Sequence, residues 1–144
     1  MPNRDLHRPA GAVLGFGTSL GLALHADSAH PMLEAVAGAL GGWIGGALPD
    51  WIDPADSPNH RGFGHGILTA GTGVVFSVIK LRMWQEWLRD HARVAQARAG
   101  TEGGLWAMKA AGCHILAGFI AGLIVGYASH LAADSLTSNS LPLC

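Results

Sequence analysis

Ile115-Leu116-Ala117-Gly118-Phe119-Ile120-Ala121-Gly122-Leu123-Ile124-Val125-Gly126-Tyr127 is the stretch whose reading decides the fold. It has no charge and no strand-like alternation, so it reads as helix. Gly118, Gly122 and Gly126 recur every four residues, which puts them on one helix face. A second ladder, Gly38, Gly42 and Gly46, repeats the pattern earlier in the chain. Glycine faces let helix backbones approach closely, as in membrane helix pairs. In a soluble helix each glycine costs about 1 kcal/mol relative to alanine. A tightly packed soluble helical core is the alternative.

Outward from this stretch the chain shows four apolar segments: Ala10 to Leu24, Met32 to Leu48, Gly66 to Leu81 and about Leu105 to Leu131. All four read as helices. The first three are shorter than, or at the lower edge of, the roughly 17 to 25 residues a spanning helix needs. Composition leans the same way: 49% of residues are apolar and only 13% charged, against about 25% charged in soluble domains. The 21 glycines are about twice the usual share. A formal net charge of −1 with no basic face argues against a nucleic-acid partner. Cys113 and Cys144 form no ligand spacing and read as free thiols. No cleavable signal peptide is evident. Arg82 to Gly104, with its arginines, acids, Trp84 and Trp87, reads as an amphipathic surface helix at a lipid interface or, equally, as a solvated hairpin.

Three polar clusters punctuate the apolar helices: Leu48-Pro49-Asp50-Trp51-Ile52-Asp53, His60-Arg61-Gly62-Phe63-Gly64-His65 and Ser129-His130-Leu131-Ala132-Ala133-Asp134. With four helices crossing in alternation, all three clusters and His7 fall at one end. His25, Asp27, His30 and His91 fall at the other. Imidazole with carboxylate is a ligand set for zinc, manganese or iron. Ionisable groups beside apolar helices are expensive unless paired or bound to something.

Asp50 and Asp53, three apart, share a face if helical. They read as a carboxylate pair for metal or as a turn with a capping Asp, with Pro49 closing the second helix. Asp56 reads as solvated. The glycines between His60 and His65 let both imidazoles turn to one centre; the bland reading is two capping histidines. Arg61 suits an anionic substrate group or pairing with Asp50 or Asp53. His130 and Asp134, four apart, share a face, with Asp134 as ligand or as orienting partner; an interfacial ion pair is the alternative. Ser129 and Thr137 are candidate supporting donors. His7 has the right topology, though a lone terminal histidine is more often exposed. His114 reads as a packed interhelical hydrogen-bonder.

The chain resembles the YdjM-like, LexA-regulated family of membrane-bound metal-dependent hydrolases of bacterial inner membranes. The resemblance runs through His7, Leu48 to Asp53, His60-Arg61-Gly62-Phe63-Gly64-His65, and Gly126-Tyr127-Ala128-Ser129-His130 on to Asp134 and Thr137. It departs at Gly64-His65-Gly66, where relatives often carry Thr-His-Ser. The resemblance implies a multi-pass inner-membrane protein that hydrolyses a phosphoester or lipid-like ester.

The sequence thus predicts one domain over residues 1–144, all-α, a four-helix integral membrane bundle with a polar metal site at one membrane face. Predicted ligands of a divalent ion, zinc foremost with manganese or iron as alternatives, are His7, Asp50, Asp53, His60, His65, His130 and Asp134. Asp53 is the expected proton acceptor, and Arg61 the expected anion-binding residue. Membrane lipid, a lipid-like or phosphoester substrate and a second copy packed through the glycine faces are the expected partners. The competing readings are a structural or carrier metal site without catalysis, and a small helical stress-response or lysis protein without metal. Positive-inside bias in the segment after the third helix would put the site on the outer face, although Arg4, Arg8 and Arg61 lie on the site side.

Overall fold

A computed structural model describes the backbone of residues 4–52 and 67–135, and the side chains of residues 6–52 and 78–134. The described residues form five helices: α1 (Arg4–His25), α2 (Pro31–Gly45), α3 (Leu48–Ile52), α4 (Ile67–Glu102) and α5 (Gly104–Ser135). No strand occurs among them, so the expected all-α class holds.

Local chemistry sets the corners. Asp27 closes α1 in the left-handed region at φ 48°. Ser28 N–H bonds to Ala23 O and Asp27 N–H to Leu24 O, at 2.9 and 3.2 Å, the paired bonds of a Schellman stop. Pro31 then opens α2, where its missing N–H is not needed. The second helix ends earlier than the sequence predicts. Gly46 caps it, and Pro49 lies inside the separate short helix α3 rather than closing α2.

The largest correction concerns Arg82 to Gly104. It is neither a separate surface helix nor a loop, because α4 runs unbroken from Ile67 to Glu102. At 1.5 Å per residue it is about 54 Å long, well beyond the roughly 30 Å hydrocarbon core of a bilayer. Trp84 and Trp87 on it are exposed. A single residue outside the helices, Gly103 at φ 91°, turns the chain into α5, a conformation that glycine adopts without a Cβ penalty.

α2 packs against both α1 and α5, and α5 also packs against α1 and α4. The two glycine ladders meet here. A Cβ on Gly122 would strike Gly38 O, one on Gly126 would strike Gly42 O, and one on Gly118 would strike Glu34 O. Gly11 and Gly15 of α1, which the ladder pattern had not singled out, close against Gly42 and Gly38. Ser19 Oγ donates to Gly118 O at 3.0 Å, and Gln85 Nε2 to Ala117 O at 3.0 Å.

The described interior is therefore mostly glycine, alanine and polar groups, with Leu81, Leu88 and Leu131 as its buried leucines. The largest fully buried side chains are His130, Glu34, Pro49 and Ser19, whereas Val13, Leu14, Val36, Leu40, Leu105 and Met108 are exposed. A soluble core normally hides such aliphatic residues. Among the described residues one helix, Gly104–Asp134, is long and apolar enough to cross a membrane.

Candidate metal centre

Three elements deliver the polar groups at one end of the bundle. His7 comes from the first turns of α1, Asp50 from α3, and His130 and Asp134 from the last turns of α5. The fold brings these four residues together at one end of the bundle. The His7 and His130 rings stack with centroids 4.1 Å apart. Hence His7 is part of the cluster and not an exposed terminal histidine.

The tautomer of His130 follows from its partner. Its Nδ1 lies 2.7 Å from Gly46 O. A carbonyl only accepts, so Nδ1 carries the proton and donates. In the neutral ring Nε2 then presents a lone pair. That Nε2 lies 3.4 Å from Asp134 Oδ2 and 3.7 Å from Asp50 Oδ1. His7 Nε2 lies 3.8 Å from Asp134 Oδ1.

Imidazole nitrogens and carboxylate oxygens converge here in a buried site. The spacing suits a cation. Ligands about 2.1 Å from a tetrahedral ion stand about 3.4 Å from one another. His7, His130 and Asp134 each offer one such atom within 4.8 Å of the others, and the three could hold a metal ion. Asp50 approaches His130 but lies outside that mutual set; at 23% it is the most exposed of the four side chains, which makes it the open side. The Nδ1 bond to Gly46 O is the backbone support that orients metal-binding imidazoles. For His7, burial and then neighbouring His130 lower the pKa, against a smaller opposing pull from Asp134 and Asp50. The neutral form that ligation requires is favoured accordingly. Two imidazoles with carboxylate suit zinc, manganese and iron alike.

Asp53, His60, Arg61 and His65, four of the predicted site residues, lie outside the described residues, as do Asp56 and Thr137. Ser129 does not support the centre through its hydroxyl hydrogen bond: Oγ donates to Gly126 O, one turn back on its own helix, at 2.8 Å.

A second polar cluster, unforeseen as a unit, lies at the other end. Glu34 of α2 is fully buried. Arg89 Nη2 reaches its Oε2 at 2.7 Å, and Ser28 Oγ donates to Oε1 at 2.6 Å. His114 Nδ1 lies 2.9 Å from Oε1. The interhelical role expected of His114 is thus observed. The signal that could have revealed Glu34 was its position as the lone acid in an apolar segment.

No protein-family model matches the chain, and neither a curated protein nor a solved structure does.

Proposed function

We propose that the chain is a multi-pass membrane protein and a metal-dependent hydrolase, with its centre built on His7, His130 and Asp134 beside Asp50. One observation carries the reading: His7, His130 and Asp134 each offer a ligand atom within 4.8 Å of the others, and the His130 Nδ1 proton is committed to Gly46 O. The membrane setting is supported by the inverted core, with large aliphatic side chains outward and polar ones inward. The resemblance to membrane-bound metal-dependent hydrolases agrees with both, and through it His60, His65 and Asp53 are proposed as further ligands and Arg61 as an anion-binding residue.

When bound, a divalent ion supplies Lewis acidity and a water acidic enough to attack near neutral pH. The chain's own residues do the rest. Gly46 O fixes the His130 ring. Stacking on His130 holds His7 in place. Asp50, on the open side, is placed to accept a proton from an attacking water. A phosphoester or lipid-like ester is the proposed substrate, reached from the membrane.

Metal content of the detergent-purified protein, measured by plasma mass spectrometry, tests the reading. Near-stoichiometric zinc, manganese or iron is expected in the wild type and absent from His130→Ala and Asp134→Ala. A phosphoester and ester screen of the loaded protein follows. A wild type that holds no metal after reconstitution would sink the proposal. The near-complete burial of His130 and Asp134 favours a second reading, a structural or carrier site, which predicts metal without turnover.

A further inference from the structure

At the metal end, α1, α2 and α3 assemble a feature that the centre itself does not use. The Arg8 guanidinium carbon lies over the Trp43 ring, 5.0 Å from its centroid, and 5.9 Å from that of Trp51. Both indoles are about half exposed, Trp43 at 41% and Trp51 at 54%, and Arg8 is exposed as well. Arg8 is next to His7 in the chain, and Trp51 is next to Asp50. The feature is thus covalently continuous with two groups of the centre.

Contact with ring faces leaves the in-plane N–H fork of a guanidinium available. Among the described residues no carboxylate lies within ion-pair distance of Arg8. In contrast, buried Arg89 is bound to Glu34, and exposed Arg93 pairs with Asp90 at 2.8 Å. Arg8 is therefore a cation held by aromatic faces from two other elements with its donors open. A planar donor fork matches a phosphate in two-point fashion. The flanking indoles are amphipathic rings of the kind that sit among lipid headgroups.

We infer that Arg8, clamped by Trp43 and Trp51, forms a phosphate-binding subsite at the rim of the centre. It takes the phosphate of a phospholipid headgroup or of a soluble phosphoester. This deepens the proposed function by naming the substrate class, and it rests on that reading only for the identity of the reacting bond. Binding itself needs no turnover.

The test uses the full-length protein in detergent, titrated by calorimetry with inorganic phosphate, with short-chain phosphatidic acid and with diacylglycerol of the same chains. Metal content is measured in parallel. The wild type should bind phosphatidic acid at least tenfold more tightly than diacylglycerol. Arg8→Gln should abolish that preference while keeping metal content and diacylglycerol binding. Arg8→Lys should retain part of it, since an ammonium keeps the charge and loses the fork. Competition by inorganic phosphate at equal affinity would assign a soluble phosphoester; weak competition would assign the lipid headgroup. No phosphate preference in the wild type, or the same preference in Arg8→Gln, overturns the inference. Should Arg8→Gln lose its metal, Arg8→Lys with metal retained decides: a weakened preference supports the inference, and an unchanged preference overturns it. Arg8-dependent phosphate binding by a protein without metal would sustain the inference while sinking the hydrolase.

Discussion

The two ends of the bundle use the same residue types to opposite effect. At the Glu34 end the carboxylate is fully satisfied, while His114 Nε2 is buried without a hydrogen-bond partner among the described residues. Each carboxylate oxygen has a donor within 3 Å, from Arg89, Ser28 or His114. At the His130 end, the nearest imidazole nitrogens and carboxylate oxygens stand 3.4 to 3.8 Å apart, and the one well-placed imidazole proton points away to Gly46 O. The Glu34 carboxylate fastens α2 to α4 and α5. The His130 end groups His7, His130 and Asp134 closely enough that they could hold a metal ion. Burial and residue type alone do not separate a charge-paired cluster from one that could hold a metal ion; the distances between the groups do.

The sharpest way to break that contrast is to unbalance the charge-paired end. Glu34→Ala leaves Arg89 buried without its partner, and losing one side of a buried ion pair costs about 3–5 kcal/mol. Thermal unfolding in detergent should show a large loss of stability, while protein that remains folded keeps its full metal content. Loss of metal with stability intact would mean the roles of the two ends are reversed.

The seam between the ends gives a smaller effect. Gly122→Ala would drive a Cβ into the Gly38 carbonyl, and overpacking of this kind costs about 1–3 kcal/mol. Gly17 has nothing within 4 Å of its Cβ position, so Gly17→Ala should be neutral or slightly stabilising. Equal effects of the two on the unfolding midpoint would refute the close approach of α2 and α5.

The smallest effect is a pH slope at the metal end. The pKa of His7 is lowered in the fold, chiefly by burial, so the folded protein binds that proton less readily than the unfolded chain. Stability from this residue falls as pH drops through the ordinary histidine range, about 6.5, toward the lower folded value. With metal chelated, acidifying from pH 7.5 to 5.5 should lower the wild-type melting temperature more than that of His7→Gln. Parallel slopes would show that His7 is not held neutral by its surroundings.

Particular residues show what could be read in advance. Helical class was legible because uncharged segments such as Ile115 to Tyr127 offer no strand period. The ladders were legible because spacing of four defines a face without any partner being known. His130 with Asp134 was legible for the same reason. The continuity of α4 was not: Arg82, Glu86 and Arg89 look like the start of a solvated segment, yet Arg89 is buried against Glu34. Gly11 and Gly15 were overlooked because two glycines make a ladder only once a third helix lies against them.

By itself, then, the sequence determined that the chain is helical, which faces are small enough for close approach, and that His130 and Asp134 share a helix face. Those properties follow from local periodicity. Tertiary structure alone decided that His7 stacks on His130, that Gly46 fixes the His130 tautomer, that Glu34 is neutralised from two other helices, and that Arg8 rests on Trp43 and Trp51. Each depends on distances between residues far apart in the chain, and only packing sets those distances.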